Sequence, residues 1–441
     1  MKKLSILLFC LGFFLSLSSN GQNKNTYWLH GLGDDESAWQ HYASIFEAER
    51  RMNSSRPRYF SSTGVISSTN TISGLILSNP QNIGIGHSMG GTVLRNLDRV
   101  SPSSSRKING LITLGSPNSG AGIANSFDDN SLNSASQNAC NDLSAGPLTE
   151  LFGIPWNVAN LSFSSAIGAN LSTNKICELL ITNDLLSQYA GSAQARADLK
   201  MGSPFLSQID NYSSSIPRLS MIAQENSPVH WRLLSSTITR NSNNPSDQLL
   251  PDAITGVEVI YNGFFVAKTA GTIVNAILGF INPVLFVKAA INANKAVQWK
   301  KGVDWLNDSE TIWNGLTKSS RMESEKYWVW TWIPCETIPG KQLLIDDIGR
   351  DRDQSCGEWG FVERTRQVMV HYPSDGFIPS YSQDIASLPA SNRYFIQGAN
   401  HIEVLNMSRS KQNGQPNDAT KDQFNSVFDF RRDIFQTARK P

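Results

Sequence analysis

This sequence contains few charged residues of either sign. Charged residues make up 17% of its 441 residues, and 38 Lys and Arg are balanced by 37 Asp and Glu, for a formal net charge of +1. A near-neutral chain offers no electrostatic basis for binding nucleic acid or another strongly charged partner. Hydrophobic residues make up 40%, which suffices for a large core and one substantial additional domain.

The sequence also lacks a long, uninterrupted apolar run of the kind that spans a membrane. The run Leu4–Leu17 follows two lysines, is too short to cross a bilayer comfortably, and gives way to small polar residues. This pattern predicts a secretory signal peptide over residues 1–21, and hence a secreted or periplasmic protein. A second apolar stretch, Ala270–Ala293, is interrupted by Pro283 and Lys288, which argues against a transmembrane helix.

Cysteine is scarce as well, with five in the chain, of which Cys10 lies in the predicted signal peptide. The remaining four are Cys140, Cys177, Cys335 and Cys356. An even number in an exported chain predicts two disulfides with three possible pairings, and sequence proximity favours the first with the second and the third with the fourth. A metal site is the competing interpretation, but the sequence has no C-x-x-C motif and no nearby histidine pair to support it.

What the sequence does contain is a short apolar strand that leads into Gly86-His87-Ser88-Met89-Gly90 and then into a helical pattern. In this strand–turn–helix context, G-x-S-x-G indicates a nucleophile elbow. The turn is strained, so the residues two before and two after the serine must be small, and Gly86 and Gly90 meet that requirement. The positive end of the following helix dipole would lie near the oxygen that becomes an anion. Ser88 is therefore the predicted nucleophile, and a chance serine in a glycine-rich turn is the alternative.

Four motifs, spread over 24–120 and 366–403, resemble those of the α/β-hydrolase superfamily and, within it, the secreted bacterial lipases and esterases. They are His30-Gly31-Leu32-Gly33, Gly86-His87-Ser88-Met89-Gly90, Ser374-Asp375-Gly376-Phe377-Ile378-Pro379 and Gly398-Ala399-Asn400-His401. The resemblance implies the α/β-hydrolase fold, and the alternation of strands and helices argues for a mostly parallel sheet with helices on both faces. Because few residues precede the first strand, we expect a trimmed sheet that lacks the two outer strands of the full-length fold.

The His30–Gly33 loop follows the first predicted strand. In lipase-like hydrolases the backbone N–H of the residue after the glycine of this loop points at the substrate carbonyl oxygen. The resemblance therefore implies an oxyanion hole made by the N–H groups of Leu32 and of Met89, the residue directly after the nucleophile. His30 itself is expected to stabilise the loop rather than to act as a base.

A strand predicted over Arg366–Val370 leads into the motif with Asp375, and the next predicted strand leads into the loop with His401. The resemblance implies that Asp375 orients the imidazole and that His401 is the general base for Ser88, in the Ser…Asp…His order of this fold. A plain Asp-Gly turn is the alternative for Asp375. Another predicted strand ends in an acidic residue, Glu225, which remains the runner-up for the catalytic acid.

These features divide the chain into a signal peptide (1–21), a first core segment (22–120), an insertion (121–363) and a second core segment (364–441). Within the insertion, stretches rich in serine and asparagine alternate with apolar stretches, and the insertion contains most of the tryptophans. We expect it to form a large, mainly helical cap or lid. Its most apolar stretch, Ala270–Ala293, suits either the buried core of a cap or an apolar lid that faces lipid.

Together the motifs predict a secreted serine hydrolase that cleaves carboxylic esters, lipase-like, through an acyl-enzyme. The same residues would serve an amidase or peptidase, and a non-catalytic relative that binds lipid or glycan is the alternative of a different class. No organic cofactor is implied. The predicted partners are an ester or lipid substrate and, transiently, a lipid surface, without nucleic acid; the oligomeric state is not predicted.

The resemblance also implies a calcium site. In secreted bacterial lipases an acidic residue two positions after the catalytic histidine helps to bind a structural calcium ion, and Glu403 stands at that position here, with Asp351 or Asp353 as potential partners. The family uses aspartate there, and calcium prefers more oxygens than these residues supply. A solvated glutamate is the alternative interpretation.

Overall fold

The computed structural model describes residues 23–131, 134, 192–225, 310–334, 357–406, 411–412, 415–416 and 418–441. These residues fall into two units, a larger one that reaches Ser319 and resumes at Tyr372, and a smaller one from Ser320 to His371. The predicted signal peptide, all five cysteines and the stretch Ala270–Ala293 lie outside the described residues, so the expectations placed on them remain predictions.

The secondary structure alternates between strands and helices through most of the larger unit. The strands are β1 Lys24–Leu29, β2 Met52–Ser55, β3 Asn82–His87, β4 Gly110–Leu114, β5 Arg218–Gln224, β6 Ser320–Pro334, β7 Gly357–His371, β8 Arg393–Gln397, β9 Lys411–Gln412 and β10 Gln415–Pro416. The α-helices are α1 Gln40–Glu49, α2 Val65–Leu75, α3 Met89–Val100, α4 Gly122–Asp128, α5 Ala193–Leu199, α6 Pro204–Asp210, α7 Ser380–Gln383 and α8 Ala419–Phe430. In the described part of the chain, no helix is both long and apolar enough to cross a membrane.

The larger unit is built on a six-stranded sheet in the order β2-β1-β3-β4-β5-β8, and every pairing in it is parallel. All residues of β3 and β4 are buried, as expected for central strands of a parallel sheet that is covered on both faces. This sheet confirms the predicted α/β class. The described sheet has six strands, the first of which begins at Lys24.

Helices pack on both faces of this sheet because successive strand residues point to opposite sides. Trp28 belongs to a largely aromatic cluster in which α1 and α8 supply Phe46 and Phe424. Its neighbour Leu29 belongs to the opposite cluster, to which α2 and α3 contribute residues such as Val93. The two clusters hold the carboxyl ends of the central strands in fixed positions, and the candidate active site lies at those ends.

The predicted strand Arg366–Val370 is present, but its expected place in the sheet is wrong. Arg366–Val370 does not enter the sheet but forms part of β7, which pairs with β6. The strand between β4 and β8 is β5, which ends one residue before Glu225. Both stretches are short and apolar, and periodicity alone does not reveal a strand's pairing partner. The range 121–363 predicted as an insertion therefore includes β5, as well as α5 and α6, whose apolar residues pack in the cluster around α3.

The smaller unit is a long antiparallel hairpin in which β6 and β7 pair over 15 residues each. One face of the hairpin carries exposed aromatic side chains from both strands, and cross-strand neighbours contact each other, with ring centroids 4.8 Å apart for Trp330 and Phe361 and 6.0 Å apart for Trp332 and Trp359. The mainly helical cap stays a prediction.

Candidate active site

The turn between β3 and α3 has the conformation of a nucleophile elbow. Ser88 has φ 52° and ψ −130°, a left-handed backbone conformation that non-glycine residues rarely adopt. Its N–H donates to the Leu114 carbonyl at 2.9 Å, which fixes the turn to the end of β4. A Cβ atom on Gly86 would overlap the backbone of Gly90, and one on Gly90 would lie 2.5 Å from the His30 carbonyl oxygen. Both glycines are therefore required by close backbone approach.

Three side chains that the sequence analysis singled out meet at this turn. His401 Nε2 lies 2.9 Å from Ser88 Oγ, and His401 Nδ1 lies 2.7 Å from Asp375 Oδ2. All three residues are at most 9% exposed. Because a carboxylate only accepts, the Nδ1–H of the imidazole donates to Asp375, which leaves the Nε2 lone pair facing the serine hydroxyl. In this arrangement Nε2 is placed to accept the serine proton.

The loop that carries Asp375 is held by its own carboxylate. Asp375 Oδ1 accepts hydrogen bonds from the backbone N–H groups of Phe377 and Ile378, at 3.0 and 2.8 Å, while Oδ2 faces the imidazole. Gly376 has φ 97°, which suits glycine at this turn. The two interpretations of the Asp-Gly sequence therefore coexist, since one oxygen stabilises the turn and the other contacts His401.

The loop that carries Asp375 lies beside the end of β5, which is the neighbour of β8 in the sheet. The N–H of Glu225, the first residue after β5, donates to the Ser374 carbonyl at 2.7 Å. The chain thus leaves the sheet at Glu225 and returns beside the same point at Ser374. Glu225, the runner-up acid, is buried there, but Asp375 is the acid whose oxygen contacts His401.

The loop that carries His401 is fixed through its backbone. The His401 N–H donates to the Asp375 carbonyl at 2.7 Å, and Asn400 Oδ1 accepts from the N–H groups of Ile402 and Glu403 at 3.0 and 2.9 Å. The His401 carbonyl lies 2.8 Å from Nε2 of His87. Both backbone polar groups of the histidine are therefore paired within the site.

Two residues near the triad were not given a role from the sequence. Gly115, with φ 53°, leaves room for the acid, because a Cβ atom there would lie 3.2 Å from Asp375 Oδ2 and 3.5 Å from His401 Nδ1. His87 was noted only as part of the elbow, yet its ring centroid lies 4.6 Å from that of His401. A glycine directly after a buried strand was the available signal for the first; the second depends on a contact between residues far apart in sequence.

The loop predicted to contribute to an oxyanion hole lies against Ser88. A Cβ atom on Gly31 would be 2.9 Å from Ser88 Cβ and 3.4 Å from Ser88 Oγ. Leu32 follows Gly31, and Met89 begins α3, where N–H groups lack intrahelical partners. His30 is buried, its ring stacks on Tyr59 at 4.2 Å, and its carbonyl accepts from the Tyr59 hydroxyl. Burial lowers the pKa of His30 and raises that of Tyr59, so both stay neutral in the loop.

The other histidines of the chain and the predicted calcium ligand do not complete a further cluster at this site. His41 lies on α1, His371 pairs with Ser320 Oγ at 2.6 Å within the hairpin, and His230 lies outside the described residues. Glu403 is buried and its carboxylate lies 3.5 Å from the Asn400 N–H. Among the described residues, no cluster of three or more His, Cys, Asp or Glu side chains is arranged to hold a metal ion. Asp351 and Asp353 lie outside the described residues, so the calcium site remains a prediction.

The parallel strand order, the elbow after β3, and the acid and histidine on loops beside the ends of β5 and β8 define the α/β-hydrolase fold. No family model and no curated protein matches the chain. Solved structures of hydrolases do match, at low identity.

Three of these structures illustrate the likeness. A pyrethroid hydrolase aligns with 22% of this chain and 42% of its own, at 20% identity and a TM-score of 0.20. A phospholipase from Legionella pneumophila aligns with 46% of this chain and 40% of its own, at 12% identity and a TM-score of 0.26. A lipase-esterase related protein from Clostridium acetobutylicum aligns with 55% of this chain and 95% of its own, at 12% identity and a TM-score of 0.26. The alignment spans less than half of the first two proteins, and the chain's own geometry rather than these distant likenesses carries the assignment of the fold.

Proposed function

We propose that this protein is a serine hydrolase that cleaves carboxylic esters through a covalent acyl-enzyme. The observation that carries the proposal is the continuous hydrogen-bond chain from Ser88 Oγ through the His401 imidazole to Asp375, with contacts of 2.9 and 2.7 Å. A nucleophile within hydrogen-bond reach of a base, with the base oriented by a third group, is the arrangement that activates a serine hydroxyl.

In the proposed reaction, Ser88 Oγ attacks the ester carbonyl carbon while His401 Nε2 takes the hydroxyl proton. Asp375 stabilises the imidazolium, and the oxyanion is bound by the N–H groups of Leu32 and Met89. The imidazolium then returns its proton to the leaving alcohol as the C–O bond breaks, which leaves the acyl group on Ser88. Water, deprotonated by the same imidazole, attacks this acyl-enzyme; as the bond to Ser88 Oγ breaks, the imidazolium returns the proton to Oγ and the carboxylic acid is released.

The surroundings of the imidazole favour an apolar substrate group. Phe377 contacts the His401 ring edge-on with centroids 5.4 Å apart, and Trp313 packs beside Phe377 at 6.0 Å. Trp313 Nε1 donates to the Gly376 carbonyl at 2.6 Å, which ties the indole to the acid loop. These side chains belong to an apolar cluster that also includes Ile402. An apolar cluster beside the imidazole suits an acyl chain or an apolar alcohol, and we propose a lipid-like or other apolar ester as the substrate.

The direct test of this proposal is active-site labelling with a fluorophosphonate. We expect the wild-type protein to be labelled at Ser88, and the Ser88→Ala variant to fold normally, to escape labelling and to lose about three or more orders of magnitude in turnover. Ser103→Ala, which changes an exposed serine in a surface turn, is the matched control and should behave like the wild type. Labelling at any other serine would contradict the proposal.

Substrate class requires a separate comparison. A chain-length series of p-nitrophenyl esters, assayed beside a panel of peptide amides, distinguishes an esterase from the amidase or peptidase that the same residues would serve. Binding of lipid or glycan without turnover of either panel, and without labelling of Ser88, would identify a non-catalytic relative instead.

Whether the enzyme is a lipase depends on the stretch Ala270–Ala293, which lies outside the described residues. If it forms an apolar lid, opening at a lipid surface would transfer apolar area from water at about 25 cal/mol per Å². Activity should then rise abruptly when an ester passes from monomers to an emulsion, and charged substitutions at Ile281 and Leu285 should remove the rise while sparing short soluble esters. An enzyme without such a rise is better described as an esterase.

We also propose that the protein is secreted or periplasmic and that its mature form has two disulfides. The apolar run behind two N-terminal lysines and the even number of cysteines after it support both statements. N-terminal sequencing of the exported protein and mass spectrometry without reduction test them. A retained leader or four free thiols would contradict them.

A further inference from the structure

A second histidine, His87, lies beside the catalytic imidazole and has no part in the proposed reaction. It ends β3, directly before the nucleophile, and its side chain is 3% exposed. Its Nε2 lies 2.8 Å from the carbonyl oxygen of His401, and the two rings are 4.6 Å apart. The contact joins the end of a strand to a loop, and the two residues are more than 300 positions apart in the sequence. It links the strand that carries the nucleophile directly to the backbone of the base.

The geometry fixes the tautomer of His87. A carbonyl oxygen only accepts hydrogen bonds, so Nε2 must carry the proton and donate. Nδ1 has no hydrogen-bond partner among the described residues and faces Gly31, whose Cβ, if it had one, would lie 3.2 Å away. Burial, and then the proximity of His401, lower the pKa of His87 well below its ordinary value, so the ring stays neutral. A neutral ring does not repel the imidazolium that forms on His401 during catalysis.

We infer that His87 is a positioning residue, which holds the His401 backbone by a neutral Nε2–H donor so that the imidazole stays aligned with Ser88. The inference rests on the proposed function. It adds a third constraint to the two that Asp375 provides, one through the side chain of His401 and one through its N–H. Because the carbonyl of His401 would otherwise be free to shift, loss of this donor should move the base relative to the nucleophile.

The expected cost is kinetic. A displacement of about 1 Å between reacting groups is enough to reduce a rate by about 100-fold. Substrate binding should change little, because the His87 side chain is buried and its ring contacts are with Trp39 and His401. The defect should therefore lie in kcat and in the rate of fluorophosphonate labelling, with KM nearly unchanged.

The test compares two substitutions of similar size. His87→Gln retains an N–H donor at about the reach of Nε2, whereas His87→Met fills the same space without one. We expect His87→Met to lower kcat on a soluble p-nitrophenyl ester and the labelling rate at Ser88 by about 10- to 100-fold, with KM within about twofold. His87→Gln should recover at least a large part of both rates. His41→Met, on α1, is the matched control and should match the wild type.

Each outcome is informative. A His87→Met variant with kcat within about twofold of the wild type would overturn the inference, and so would a His87→Gln variant as impaired as His87→Met, since packing rather than the donor would then matter. A wild-type protein that is neither labelled at Ser88 nor active on esters would instead overturn the proposed function. If His87→Met does not fold, His87→Gln and His87→Asn, which differ in the reach of the donor, give the same comparison, and equal rates for these two would contradict the inference.

Discussion

Replacing Asp375 by asparagine should disable the base while leaving the fold intact. In the wild type, Asp375 Oδ1 accepts from two backbone N–H groups, those of Phe377 and Ile378, and Oδ2 accepts from His401. An asparagine keeps its carbonyl oxygen toward the two backbone donors, because its NH₂ group cannot face them. The NH₂ group must then face His401 Nδ1, which becomes an acceptor.

The consequence is a change of tautomer. With Nδ1 accepting, the imidazole proton moves to Nε2, which points at Ser88 Oγ at 2.9 Å and can no longer take the serine proton. An imidazole held in this tautomer costs about 10⁴-fold in kcat, which corresponds to about 5 kcal/mol of transition-state stabilisation. The turn at 375–378 keeps its hydrogen bonds, so we expect the melting temperature to change by only a few degrees.

The assay is the turnover of a soluble p-nitrophenyl ester, with the melting temperature measured in parallel. Asp384→Asn, which alters a partly exposed aspartate paired with Arg393 at 2.9 Å, is the matched control and should retain wild-type kcat. Glu225→Gln tests the runner-up acid. The reasoning is refuted if Asp375→Asn keeps more than about a tenth of the wild-type kcat, or if Glu225→Gln proves the more damaging change.

Three further predictions concern the surroundings of the triad. Gly115→Ala should lower the melting temperature and reduce kcat about tenfold, because the residue has φ 53° and its new Cβ would lie 3.2 Å from Asp375 Oδ2; wild-type values of both would contradict the close approach. Burial lowers the pKa of His87 and of His30 below 6.5, so below about pH 6.5 the unfolded chain binds more protons than the folded one. The free energy of unfolding, measured with urea, should therefore fall from pH 7 to pH 5. The fall should be smaller in the His87→Gln variant. If the free energy of unfolding depends on pH equally in that variant and in the wild type, His87 does not contribute to the pH dependence. If Glu403 helps to bind calcium, chelation should lower both activity and melting temperature, and unchanged values would eliminate the site.

The sequence was most informative where sterics leave little choice. Gly86 and Gly90 could be recognised because neighbouring backbone segments at the elbow leave no room for a side chain. The five-residue motif alone is enough to indicate that constraint. The alternation of strands and helices likewise predicted a parallel sheet, since only a sheet covered on both faces buries such continuous apolar strands. His401 could be identified by its motif, Gly398-Ala399-Asn400-His401, and by its position in a short loop directly after a predicted strand.

The sequence was least informative about pairing. Asp375 was chosen together with Arg366–Val370 as its strand, but that stretch pairs within a hairpin, and the neighbour of the acid loop in the sheet is β5. Apolar strands resemble each other locally, and their partners are set by contacts across long chain separations. The contact of His87 with the His401 carbonyl is of the same kind, because nothing beside either residue in the sequence encodes it.

The hydrogen bond between Glu225 and Ser374 also has a consequence for how the chain assembles and varies. It closes a detour of about 150 residues between the end of β5 and the acid loop. The entropy of closing a long loop grows only logarithmically, so that doubling the length of such a detour costs about 0.6 kcal/mol. Segments of very different size can therefore replace one another between these two residues without displacing the acid. The contact between His401 and Ser88 likewise joins residues 313 positions apart, and contacts across such separations form slowly, so catalytic competence should be among the last properties that the refolding chain acquires.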